Sequence, residues 1–196
     1  MLRWMGWVLT IVLAGCASSS PAPVSSPATV SSAGAGSYEI ELSRRMLLDG
    51  RVSVLVPSSF EPMDETMRRL KYPSEQRPQI VFTDPEASVN VALIHSEARV
   101  REDQIPGLLK SLEGVFRALH PSAAWSAADL IELDGRSFAR LDLVTPAIDA
   151  KVRNIMVATS LEGRMLAVTF NCTQELEARW AETARRIVES IQILEP

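Results

Sequence analysis

The sequence predicts an α+β domain, an antiparallel β-sheet with helices packed on both faces. Three observations predict it. Glycine-containing turns separate paired apolar segments, amphipathic stretches lie between the pairs, and several strand segments are apolar on both sides.

Asp49-Gly50 separates Met46–Leu48 from the alternating Val52, Val54 and Val56. Asp134-Gly135 separates Leu130–Leu133 from Ser137–Val144, and Glu162-Gly163 separates Ile155–Leu161 from Met165–Cys172. Glycine adopts positive φ at little steric cost, and the twist of such tight turns matches that of paired antiparallel strands. A fourth pair, Ile80–Thr83 and Val89–Ile94, is joined by Asp84-Pro85-Glu86-Ala87, where proline suits the second position of a turn. Hairpins imply an antiparallel sheet, because parallel neighbours need long crossovers. Successive apolar residues such as Val81-Phe82 and Leu93-Ile94 point to opposite faces, so both faces require cover.

Helices supply that cover. Between Gln104 and Leu119, Ile105, Leu108, Leu109, Leu112, Val115, Phe116 and Leu119 recur at helical spacing. Pro106 falls in the first turn, where its missing N–H costs little, and Pro121 lies beyond the end. A second helix is expected from Thr173 to Ser190, with Leu176, Trp180, Ala184, Ile187 and Ile191 on one stripe. A shorter one, Asp64 to Lys71, opens on acids and closes on bases, complementing the helix dipole.

Three domains of composition divide the chain. Residues 1–15 read as a lipoprotein signal peptide: Arg3, an apolar run from Trp4 to Ala14, then small residues before Cys16. The run is about half the roughly 20 residues that a membrane-spanning helix needs. Leu13-Ala14-Gly15-Cys16 resembles the lipobox of bacterial lipoproteins, which implies lipidation at Cys16 and cleavage before it. That resemblance implies palmitate or a related acyl group, attachment to the membrane through the N-terminal lipid, and, with Ala17 after the cysteine, the outer membrane facing the periplasm. Two or more acyl chains hold a protein stably at a bilayer. Residues 16–37 form an uncharged Ser/Pro/Ala-rich stretch with too little apolar content to offset chain entropy, hence a disordered tether. As a flexible coil it would span about 25 Å. Residues 38–196 are one domain's worth of chain, large enough to fold without disulfide staples.

The whole chain has net charge −4, and loss of Arg3 with the leader makes it one unit more acidic. The basic residues are dispersed, so no nucleic-acid partner is expected. Val54-Leu55-Val56-Pro57-Ser58-Ser59-Phe60 resembles the strand-then-Pro-x-x-aromatic opening of the PsbP/DcrB-like α/β/α sandwich superfamily. The close is similar too: strand Met165–Phe170, Asn171, a terminal helix with Trp180, then Ser190-Ile191 and a last extended piece. The resemblance implies the fold and a tendency toward non-catalytic protein binding. It transfers no catalytic residue.

Candidate chemistry is sparse. Cys172 alternates with Leu166, Val168 and Phe170 on an apolar strand face, so a buried, inert thiol is expected. His95 and His120 fall on different elements without metal-ligand spacing, and no metal or other cofactor is expected. His95 is read as ending a strand and His120 as capping the long helix. Asp64-Glu65 and Glu102-Asp103 sit at helix starts, where capping explains them. A hydrolase is the minor alternative, but no Gly-x-Ser-x-Gly elbow is present. Three loops offer candidate protein contacts: Tyr72 and Arg77 in Tyr72–Pro78, Trp125 beside the turn at Pro121, and Ile148 in Thr145–Ile148. Aromatic and arginine residues are enriched at interface hot spots. The expected function is thus a membrane-anchored accessory or scaffold with an envelope protein partner. The alternative is a small-molecule or lipid-binding module, which would show as an apolar cleft beside the long helix.

Overall fold

Residues 40–147 and 150–194 are described by the structure, a computed structural model of the chain. Cys16, the tether and Ile148 lie outside the described residues. In chain order the elements are β1 (Leu42–Leu47), β2 (Val52–Pro57), β3 (Glu61–Pro62), α1 (Glu65–Lys71), β4 (Ile80–Thr83), β5 (Val89–Arg99), α2 (Ile105–Leu119), β6 (Ala124–Leu133), β7 (Arg136–Pro146), β8 (Lys151–Leu161), β9 (Arg164–Thr173), α3 (Glu177–Glu189) and β10 (Gln192–Ile193). Short 3-10 turns at Glu102–Gln104 and Gln174–Leu176 lead into α2 and α3.

The glycine turns close the hairpins as expected. Asp134 and Gly135 have φ 50° and 72°, and Glu162 and Gly163 have φ 53° and 72°. Positive φ at both central residues marks the turn whose twist suits a two-residue hairpin. Seven antiparallel strands order as β3-β4-β5-β9-β8-β7-β6. A separate three-stranded sheet orders as β1-β2-β10, both outer strands antiparallel to β2.

The antiparallel α+β class with helices on both faces of the large sheet is as expected, and the small sheet β1-β2-β10 is an addition to it. One face of the large sheet is covered by α3 together with the small sheet. Val52, Val54 and Val56 of β2, Phe60 and the α3 residues Trp180, Ala184 and Ile187 pack there against Val91, Leu93, Val168 and Phe170. The Trp180 ring centroid lies 5.5 Å from that of Phe60 and 6.0 Å from that of Phe170. Arg153 secures the start of α3, with Asp142 at 2.6 Å and Glu177 both against its guanidinium. The opposite face takes the other two helices. Ile105 and Leu108 of α2 sit on Ile94, Ala139, Ala158 and Ala167. Met63 and Tyr72, flanking α1, sit on Val81 and Ala92 at the β4–β5 side.

Two elements extend beyond their expected bounds. β5 runs on to Arg99 through a register shift between His95 and Arg99, so His95 is internal to the strand and does not end it. β6 begins at Ala124, which puts Trp125 in a strand rather than beside a turn; a bulge between Trp125 and Ala127 absorbs the irregularity. Bulges redirect side chains without ending pairing, and neither carries a sequence mark as clear as a glycine turn.

Candidate functional site

The site is a groove beside α2. This helix buries Ile105 and Leu108 at its start, and further along Leu109, Leu112 and Phe116 pack against Leu141, Leu143 and Met156 of the sheet. Leu112 and Phe116 are half-buried, while Val115 and Leu119 keep 38% and 39% of their surface exposed. Residues 108, 112, 115 and 119 follow helical spacing and share one side of the helix. They form one wall of the groove. Its floor is Ile94 of β5, Met165 and Ala167 of β9 and Met156 of β8, and Ser74 and Gln76 edge the far side. The enclosed volume is about 100 Å³. His120 closes one end, its ring centroid 6.1 Å from that of Phe116. Burial pushes the His120 imidazole below its ordinary value.

The remaining candidate residues are spent on structure. Cys172 is 1% exposed in the core, where burial pushes its thiol up to about 11. His95 is buried, with Nε2 3.2 Å from the Leu161 carbonyl and Nδ1 3.3 Å from an Arg164 guanidinium nitrogen. Arginine can only donate, which assigns the ring proton to Nε2 and makes His95 a donor to Leu161. Asp64 caps α1, accepting from the Met67 N–H at 2.9 Å. Arg136 pairs with Glu102, and Arg101 with Asp103 at 3.0 Å. Among the described residues no three His, Cys, Asp or Glu side chains gather as a metal site, and no helix is long and apolar enough to cross a membrane.

The loop residues singled out in the sequence are not brought together. Tyr72 is 4% exposed and packs in the cluster with Met63, Val81 and Ala92, so it is a core residue and offers no surface to a partner. Arg77 staples its own loop, its Nε donating to the carbonyls of Tyr72 and Ser74, each at 3.1 Å. Trp125 lies half-buried beneath Arg117, whose guanidinium carbon is 4.4 Å from the ring centroid. The groove itself draws on α2 residues that read as core stripe in the sequence. Its signal was the apolar reach of the stripe to Val115 and Leu119, beyond what the sheet covers.

No protein-family model and no curated protein sequence matches the chain. Solved structures do. Cyanobacterial PsbP (CyanoP) from Synechocystis sp. PCC 6803 superposes with a TM-score of 0.57 at 14% identity, over 83% of this chain and 98% of that one. LpqN, involved in cell envelope biogenesis of Mycobacterium tuberculosis, gives 0.49 at 16% identity over 80% and 92% of the two chains. The Saccharomyces cerevisiae Ran-binding protein Mog1p gives 0.47 at 11% identity over 80% and 97%. At such identities the likeness is one of fold: the chain carries a PsbP-like α+β architecture.

Proposed function

We propose that this chain is a membrane-anchored envelope lipoprotein whose domain is a non-catalytic accessory, holding an apolar segment of an envelope protein partner in the groove beside α2. The exposed apolar wall of Val115 and Leu119 over an apolar floor carries the reading. Its size supports a protein partner over the lipid or small-molecule alternative. About 100 Å³ is enclosed, against roughly 300–1,000 Å³ in pockets that hold drug-sized ligands. One or two apolar side chains fit such a slot. A non-catalytic role accords with His95 and Cys172, whose polar atoms are engaged or buried within the core. Lipid on Cys16 and the uncharged tether would keep the domain at the bilayer surface, where envelope partners are met.

A photo-crosslinking residue at position 115 in intact cells tests this. The expected result is one adduct of defined mass, lost when Leu119 is changed to Asp and not formed from position 182 on the exposed side of α3. The same adduct from both positions, or none from 115, overturns it. Recovery of bound lipid by native mass spectrometry without an adduct would favour the lipid-binding alternative.

A further inference from the structure

The large sheet has two edges. β3 at one edge is two residues long, whereas β6 at the other runs for ten. Among the described residues the backbone of 124–133 bonds to the backbone of β7 and to that of no other segment. The outward N–H and C=O groups of β6 are therefore open to a further strand. Proteins close such edges with proline, with lysine or with a bulge. The bulge of β6 lies between Trp125 and Ala127; from Ala127 to Leu133 its register with β7 is regular, and that stretch holds neither proline nor lysine. Leu130, within it, is 43% exposed.

A cleft of about 550 Å³ opens between this edge and α3. Ile131 and Leu133 of β6, Ile155 of β8, and Ala181 and Val188 of α3 give it an apolar lining. Its arginines are already held. Arg140 pairs with Asp129 at 2.6 Å, Arg153 with Asp142 at 2.6 Å and with Glu177, and Arg185 with Glu182 at 2.6 Å and with Glu189. Glu132 and Asp134, also at the cleft, form no ion pair among the described residues. The charge left unspent there is negative.

These features define the occupant. An open edge takes an extended backbone, and pockets beside it select alternate side chains. The apolar lining at Ile131 and Leu133 selects two residues on one face of the incoming strand, and Glu132 between them selects a base directly opposite. A second copy of β6 does not supply that base: its sequence, AWSAADLIEL, has two acids and no lysine or arginine. The chain's own stretch 17–37 is uncharged and does not supply it either. We propose that β6 accepts an extended segment of a partner protein as a further antiparallel strand, with a lysine or arginine opposite Glu132 and an apolar residue on each side of it. No residue of β6 lines the groove beside α2, and this edge binds its segment whatever occupies that groove.

The test titrates the chain with the acetylated and amidated peptide Ser-Thr-Val-Lys-Val-Thr-Val-Ser and follows the backbone amides by NMR. The expected result is a saturable shift over residues 127–133, with slowed hydrogen exchange at alternate amides there. Replacing the peptide's lysine by glutamate should weaken binding about fivefold, through loss of one cross-strand ion pair and gain of a repulsion. Glu132→Lys, at an exposed position where folding is not at stake, should reverse the preference between the two peptides. Methylating the alternate peptide nitrogens that face β6 should abolish binding, and methylating the other set should not. No saturable shift, shifts centred on Val115 and Leu119, or equal binding of the lysine and glutamate peptides overturns the proposal. Dimerisation of the free chain that protects these same amides also overturns it, in favour of a second copy as the occupant.

Discussion

Truncating leucines at the two ends of α2 should expose how the helix is seated. Leu108 is 7% exposed and Leu119 is 39% exposed. Leucine to alanine removes apolar volume worth about 2.4 kcal/mol on transfer when fully buried, at ~0.8 kcal/mol per methylene. At Leu108 nearly all of that is lost, and a cavity remains between α2 and the sheet, for a total of about 3 kcal/mol. At Leu119 roughly 60% of the transfer value applies, and solvent enters the open groove in place of a cavity, for about 1–1.5 kcal/mol. Urea denaturation of the two variants, with unchanged m-values, reads the difference. In a domain of this size melting temperatures should fall by roughly 6–12 °C and 2–6 °C respectively, at about 2–4 °C per kcal/mol. Equal costs would refute the reasoning, because they would mean that the C-terminal half of α2 is packed as tightly as the start and that no groove exists.

Other outcomes follow from single residues. Cys172, with its thiol pushed up to about 11 by burial, should resist maleimide at pH 7 in the native protein and react rapidly in denaturant; equal rates would contradict the core placement. Hydrogen bonds from Arg69 and then Arg68 hold the Glu65 carboxyl down from 4.5 to about 2. What it contributes to stability is therefore present above pH 4.5 and is lost as pH falls toward about 2. A carboxyl NMR titration should find that low midpoint, and Arg69→Ala should raise it; a midpoint near 4.5 in the parent protein would be wrong for this geometry. Gly163 has φ 72° and open space around its Cα, so Gly163→Ala should cost about 1–2 kcal/mol through backbone strain alone. A thermal melt unchanged by that substitution would argue against the left-handed turn.

The hairpins were legible because each turn announces itself. Glu162-Gly163 and Asp134-Gly135 carry the positive φ that the two-residue loop demands, and the apolar alternation on either side sets the register. The helices were legible through their periodicity and through the Asp64 cap. The assignment of strands to sheets was not. Nothing local in Val52–Pro57 says that β2 pairs with β10, some 135 residues further along, instead of joining the large sheet. Tyr72 misled for a related reason: a loop aromatic flanked by Pro73 and Lys71 reads as surface, and only the fold of α1 onto β4 and β5 turns its ring inward. The groove was half visible. Val115 and Leu119 belong to the α2 stripe by spacing, but their exposure depends on how far the helix lies from β5 and β9, a distance set by tertiary packing.

The clasp of β10 onto β2 has a consequence for synthesis. The valines of β2 are among the first apolar residues of the domain to leave the ribosome, yet the pieces that cover them, α3 and β10, emerge last. Contacts between such distant segments form slowly, because the chain between them must first be ordered. The nascent polypeptide therefore leaves the ribosome with this half of its interior unfinished until residue 193 is out, a form whose exposed valines a chaperone can still cover.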